Sequence, residues 1–322
     1  MNGEIPRATP LAAASWPRLL TPGDRVALVS PAGPPDQTLV EEGERLMRSW
    51  GLDVAHSALL AQGYLAGSDD ERFRQLGAAF DDEEVRAILC TRGGYGSQRL
   101  VDRLRDARTT MDAFVQRRAS FVGFSDITAV HQVLNDVGLV TFYGPPLAWV
   151  LRNGPSSLES LRRVMFEGTD VVLESDASNP TAALTNGDSF TGRTIGGNLT
   201  MLAASAGTAT QLVAEGAIVV MEDCDERPLD VDRALTQLIR SSALAGVGAF
   251  AIGQFDRCAD LKYGADVIQT LHERLAHVAA VERREIPLLG GLAFGHGDDQ
   301  QTLPLGAVAT IDPAAGRLTY TR

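Results

Sequence analysis

Four short segments carry residues able to do chemistry. Gly123-Phe124-Ser125-Asp126 sets a serine directly after the apolar run Ser120–Phe124 and before a helical stretch reaching about Val137. A serine on such a strand-to-helix turn projects its Oγ at the sheet edge. The N–H groups of the following helix suit a developing oxyanion. This is the logic of a nucleophile elbow, although Ile127 stands where the G-x-S-x-G pattern has its last glycine. On local sequence alone, a helix cap by Ser125 or Asp126 is the commoner role.

Arg92-Gly93-Gly94-Tyr95-Gly96-Ser97 follows another apolar run, Arg86–Thr91. Its glycines permit close backbone approach to a ligand, and the N–H of Gly94 is a candidate second oxyanion donor. Neither G-x-G-x-x-G nor G-x-x-x-x-G-K-[ST] is present, so a phosphate cradle is the weaker functional reading. A plain tight turn is the structural alternative. Glu222 is the first residue past the run AIVVM and opens an acidic stretch, Glu222-Asp223-Cys224-Asp225-Glu226. Its spacing is not that of a calcium loop. A solvated acidic loop is the ordinary reading, but a carboxylate at a strand end is also placed to orient a histidine. His296 lies between Gly295 and Gly297, a poor setting for a core side chain and a good one for an accessible imidazole. For His56, His131, His272 and His277, a structural role is the expectation. Gly192–Asn198 (GRTIGGN) is turn-rich and either lines a cleft or forms a strand-helix corner.

These segments need elements to hold them. Asp24–Ser30, Arg86–Thr91 and Ser120–Phe124 read as buried strands alternating with helices, which implies a doubly wound, mostly parallel sheet. SPAGPP, RGGYGS and GFSD then all fall at carboxyl ends of strands, where such sheets bind ligands. The later part of the chain mixes strand candidates (Ala217–Met221, Ala249–Ile252, Leu305–Ile311, Arg317–Tyr320) with helices. That predicts a second α/β domain with a barrel-like sheet. The expected divisions are an N-terminal extension over 1–20, a nucleophile domain over 21–154, a linker over 155–178 and a C-terminal domain over 179–322.

Composition narrows the class. With 44% hydrophobic and 22% charged residues the chain reads as globular. A net charge of -12 argues against nucleic-acid and anionic-membrane partners. No apolar run approaches the roughly 18 residues of a membrane span, and Pro10 and Pro17 interrupt the short apolar patch near the start, so no secretory signal is expected. Cys90, Cys224 and Cys258 are scattered and odd in number, which fits a reducing, cytoplasmic setting.

Taken together, the chain resembles the LD-carboxypeptidase (muramoyltetrapeptide carboxypeptidase) family of serine peptidases. The likeness rests on GDRVALVSPAG, RGGYGSQRLVDRL, FVGFSDITAVH, TFYGPPLA, GRTIGGNLTML, VVMEDCDERPLDVDRALTQL and GLAFGHGDDQQTLPLGAVATID, found in that order. The resemblance implies a Ser–His–Glu triad, with Ser125 as nucleophile, His296 as general base and Glu222 as orienting carboxylate. It implies an oxyanion hole from the N–H groups of Asp126 and Gly94, a site in the cleft between two domains, a homodimer, and no metal or organic cofactor. The implied substrate is a murein tetrapeptide, cut before its terminal D-alanine during cytoplasmic recycling of wall peptides. Arg92 or Arg193 is the expected partner of the substrate carboxylate, with Gly93 and Asn198 also lining the site. A branch of the family resembles microcin C self-immunity peptidases, which act on aminoacyl-nucleotide antibiotics; for that reading Trp149 and Tyr263 are the candidate stacking residues. A non-catalytic binding protein on the same scaffold is the reading from outside enzymology.

Overall fold

The computed structural model describes residues 14–56, 61–146, 153–260 and 262–322. Its strands are β1 (Arg25–Val29), β2 (Asp53–His56), β3 (Val85–Cys90), β4 (Ser120–Gly123), β5 (Thr141–Tyr143), β6 (Val171–Glu174), β7 (Phe190–Asn198), β8 (Ala217–Cys224), β9 (Ala249–Asp256), β10 (Leu288–Leu289), β11 (Leu303–Leu305), β12 (Val308–Asp312) and β13 (Arg317–Tyr320). They form two sheets, ordered β11-β5-β4-β3-β1-β2 and β10-β9-β8-β7-β12-β13-β6.

The first sheet is parallel from β2 to β5, with helices on both faces, as its unbroken apolar strands require. Its order reverses between β1 and β3, and the loops leaving those strands meet there: Gly33 N–H donates to Gly93 O at 2.9 Å. Ligands of doubly wound sheets sit at this switch point.

The second sheet is parallel from β10 to β7 and antiparallel from β7 to β6. Its outer strands approach each other. Ser175, just past β6, bridges to Leu292, just past β10, and Ser175 Oγ donates to Gly290 O at 2.7 Å. The sheet is therefore curled in the barrel-like sense expected.

Side chains of both sheets share one core. Phe124 and Tyr143 from the first pack with Ile218, Val220, Ala251 and Tyr320 of the second. Along β8 the alternation is strict. Ile218 and Val220 face this shared core, and Val219 and Met221 face the outer helices. Glu222 continues the even series and so points between the sheets.

Three features differ from the expectations. Leu305–Ile311 is not one strand: β11 ends at Leu305 in the first sheet and β12 begins at Val308 in the second. Gly306, at φ 89°, turns the chain between them. The segment read as a linker contributes β6, a full member of the second sheet, after the helix Gly154–Phe166. Residues 14–20, read as part of a loose extension, are docked. Ser15 bridges to Leu139, and Leu20 is buried with its N–H bonded to Met165 O at 2.8 Å.

Candidate active site

Ser125 lies one residue past β4, after Phe124, and heads a short turn that leads into the helix Thr128–Asp136. Its φ is 60°, the left-handed region that a residue with a side chain seldom occupies. Two bonds hold it there: Ser125 N–H donates to the Tyr143 hydroxyl at 3.1 Å, and Thr128 Oγ1 donates to Ser125 O at 2.7 Å. The neighbouring loop must come close. A Cβ on Gly93 would lie 2.9 Å from Phe124 O and 3.0 Å from Ser125 Cβ.

Glu222 arrives on β8 of the second sheet, and His296 on the segment between β10 and β11, which is tied to β9 where Gln254 N–H donates to Phe294 O at 2.8 Å. His296 Nδ1 is 2.7 Å from Glu222 Oε2, and His296 Nε2 is 3.1 Å from Ser125 Oγ. Gly295 at φ 128° bends the chain so that the imidazole turns inward; a Cβ there would sit 3.1 Å from Glu222 Oε2. The Glu222 side chain is fully buried and that of His296 is 7% exposed. The glycine-flanked histidine is thus far less open than its neighbours suggest. Phe124 covers it, with ring centroids 4.5 Å apart.

Burial disfavours the imidazolium, but the Glu222 charge and its hydrogen bond outweigh burial, so His296 titrates above its ordinary value. Asp223 is pushed up to about 6 by burial and by the neighbouring Glu222 charge. It nevertheless accepts from Thr200 N, Thr200 Oγ1, Asn198 Nδ2 and Cys224 N, at 2.8–2.9 Å.

The other expected site residues divide. Gly93 packs against the Ser125 turn, while Gly94, at φ 101°, lies against Gly33 of the loop after β1. Asp126 is buried and accepts from Ser97 N at 2.8 Å, which ties the RGGYGS loop to the turn. Arg92 lies in the same loop cluster, with Nη1 donating to Pro34 O at 3.0 Å. Asn198 is buried beneath the site. Its Nδ2 reaches Asp223 Oδ1 at 2.8 Å and Glu222 Oε1 at 3.4 Å, while its Oδ1 caps the next helix through Met201 N.

Arg193 is not brought to the site. It pairs with Ala217 at the start of β8, whereas Asn198 pairs with Glu222 at the far end. At about 3.3 Å per residue that separation is roughly 16 Å. Arg193 instead lines a separate small cleft with Gln132, Asn135 and Thr210. GRTIGGN is strand to its end, because Gly196 and Gly197, at φ 127° and 137°, lie against Val220 O and the Thr128 side chain. Tyr263 is exposed, with Lys262 Nζ 4.7 Å from its ring centre. Trp149 lies outside the described residues.

Sequence reasoning missed Tyr143, Thr128 and Asp223. TFYGPP and the acidic run marked two of the places, but a tyrosine closing a buried strand reads as core. Among the described residues, no group of three His, Cys, Asp or Glu side chains is arranged to hold a metal ion.

Comparison with known proteins agrees with this architecture. Residues 26–144 match the LD-carboxypeptidase N-terminal domain and residues 191–311 the LD-carboxypeptidase C-terminal domain. The molecule is a serine-type carboxypeptidase. Its chain belongs to the LD-carboxypeptidase family. It is 36% identical to a putative carboxypeptidase of Streptomyces coelicolor, over 95% of this chain and 96% of that protein. It is 32% identical to the murein tetrapeptide carboxypeptidase of Pseudomonas aeruginosa, over 89% and 93%. The muramoyltetrapeptide carboxypeptidase structure from Oxalobacter formigenes superposes with a TM-score of 0.76, at 29% identity, covering 92% of this chain and 97% of that one. The microcin C7 self-immunity protein MccF shares the fold, with a TM-score of 0.81 at 22% identity and coverages of 96% and 98%. No helix among the described residues is long and apolar enough to cross a membrane.

Proposed function

We propose that this enzyme hydrolyses the L,D-peptide bond to terminal D-alanine in murein tetrapeptides, through Ser125, His296 and Glu222. The observation that carries the reading is the unbroken chain Ser125 Oγ···His296 Nε2 and His296 Nδ1···Glu222 Oε2, at 3.1 and 2.7 Å, assembled from both sheets. Its substrate class follows from the murein tetrapeptide carboxypeptidase relative.

In this mechanism Glu222 accepts from Nδ1–H and so leaves Nε2 as the acceptor facing Ser125. Ser125 Oγ attacks the scissile carbonyl carbon as its proton passes to Nε2. The carbonyl oxygen becomes an oxyanion facing the N–H groups of Asp126 and Gly94, each worth roughly 3–4 kcal/mol in comparable sites. Collapse breaks the C–N bond, and His296 returns the proton to the amine of the departing D-alanine. Water, deprotonated by His296, then cleaves the acyl-enzyme and regenerates Ser125. Arg92 is the cation proposed for the substrate carboxylate. The enzyme is proposed to act in the cytoplasm as a homodimer.

The test is a substrate panel of murein tetrapeptide, murein tripeptide and an aminoacyl-sulfamoyl adenosine. D-alanine release from the tetrapeptide alone is expected. Cleavage of the adenosine compound without D-alanine release would instead assign the immunity-peptidase specificity.

A further inference from the structure

We propose that Tyr143 is a positioning residue for the reaction, its hydroxyl tying the backbone of Ser125 to the carboxylate that orients His296. The inference rests on the triad reading above and extends it to a residue in the first sheet.

Tyr143 ends β5 and is fully buried. Its hydroxyl is used in both senses. It accepts from Ser125 N–H at 3.1 Å and donates to Glu222 Oε1 at 2.7 Å. Ser125 holds a left-handed conformation that its own side chain disfavours, so the bond to its N–H is one of the restraints that keep Oγ aimed at His296. Glu222 divides its two oxygens: Oε2 serves His296, and Oε1 has Tyr143 as its short donor, with Asn198 Nδ2 farther off at 3.4 Å. One hydroxyl thus spans the two sheets and touches the supports of both the nucleophile and the base.

The hydroxyl's part is separable from the ring's. The ring packs on Phe124 and His131, with centroids 5.0 and 5.6 Å away, and a phenylalanine would keep both contacts. Removing the hydroxyl leaves the Glu222 charge less dispersed, which favours the His296 imidazolium more strongly. The charged and titratable groups facing this pair are Tyr143 from β5, Asp223 and Cys224 from β8, Cys258 past β9, and Asp225 and Arg257 beside the His296 ring; Asn198 is the neutral donor from β7. Apart from Tyr143 itself, none of these groups is altered by the substitution, so the direction of the effect is set by the lost hydrogen bond.

The experiment compares wild type, Tyr143→Phe and the protein carrying 3-fluorotyrosine at 143. It follows the His296 ring by carbon-13 NMR titration in the free enzyme, together with kcat and KM for D-alanine release. Fluorotyrosine is a stronger donor of nearly the same shape. Phenylalanine is expected to raise the His296 titration midpoint, and fluorotyrosine to lower it. For Tyr143→Phe, kcat should fall roughly tenfold to a hundredfold, the effect of losing a hydrogen bond to a charged group, with KM within about threefold. Identical midpoints in all three proteins, or a loss confined to KM, would overturn the proposal. Because the titration needs no substrate, a wild type that releases no D-alanine sinks the substrate reading while the NMR still decides the role of Tyr143. Should Tyr143→Phe not fold, the fluorotyrosine protein decides alone: an unmoved midpoint overturns the role.

Discussion

The Phe124 ring lies 4.5 Å from the imidazole of His296, tilted by 48°. The residue preceding the proposed nucleophile is therefore the surface on which the proposed base rests. Phe124 belongs to the core shared by the two sheets, and the His296 side chain beside it is 7% exposed. Phe124→Leu keeps most of the volume and should cost less than about 1.5 kcal/mol of stability. It removes the flat support of the imidazole, so kcat is expected to fall at least tenfold. Urea unfolding and steady-state kinetics on the same preparation check both parts.

Ser125→Ala removes the proposed attacking atom and little else. The backbone bonds to Tyr143 and Thr128 do not involve Oγ. We expect a melting temperature within a few degrees of wild type. Loss of D-alanine release should be of the order of 10⁵–10⁶-fold, as for a nucleophile removed from another serine triad. A variant retaining a tenth of the activity would exclude Ser125 as nucleophile.

The proposed mechanism needs His296 neutral. Burial opposes the imidazolium, but the charge and hydrogen bond of Glu222 outweigh it and raise the titration of His296 above 6.5. The acid limb of kcat/KM should therefore have its inflection above 6.5, with activity falling as pH drops through it. For stability the sign is opposite. A histidine whose folded value is raised stabilises fully below 6.5, and that contribution is lost as pH rises through the folded value. An inflection at or below 6.5 in the pH–rate profile would contradict the arrangement.

Gly93→Ala tests the approach of the two loops. The added methyl would meet a backbone oxygen at 2.9 Å and Ser125 Cβ at 3.0 Å. Neither belongs to a flexible side chain, so the turn itself must move. Overpacking of this kind costs about 1–3 kcal/mol, and a displacement of the nucleophile near 1 Å costs about a hundredfold in rate. Gly77, whose added Cβ would meet nothing within 4 Å, is the control: Gly77→Ala should leave the rate unchanged.

Much of this molecule is legible in its sequence because strand ends announce themselves. The runs before SPAGPP, RGGYGS and GFSD are buried strands, and the loops they release do gather on one side of the first sheet. Ser125, Glu222 and His296 stand within hydrogen-bond reach although up to 171 residues separate them. The rest depended on tertiary meetings that no local pattern encodes. Tyr143 looks like any aromatic closing a strand, and its role exists only because β5 and β8 face each other across a shared core. Arg193 and Asn198 share one short motif, yet an extended chain carries them to opposite ends of the β7–β8 pairing. Glycines 196 and 197 suggested a turn, but they are there because Val220 O and Thr128 press on the strand.

The return of the chain to the first sheet at β11 has a consequence for how the protein is made. Thr141–Tyr143 acquires its antiparallel neighbour only from residues 303–305, so that edge stays unpaired until residue 305 has left the ribosome. A bare strand edge is a template for pairing with other chains, and contacts so distant in sequence form slowly. A fragment ending at residue 190 is accordingly expected to aggregate, which light scattering during expression would register. The sheet that carries Ser125 is thus completed by a strand that follows His296 in the chain, so it closes only after the proposed base has been made.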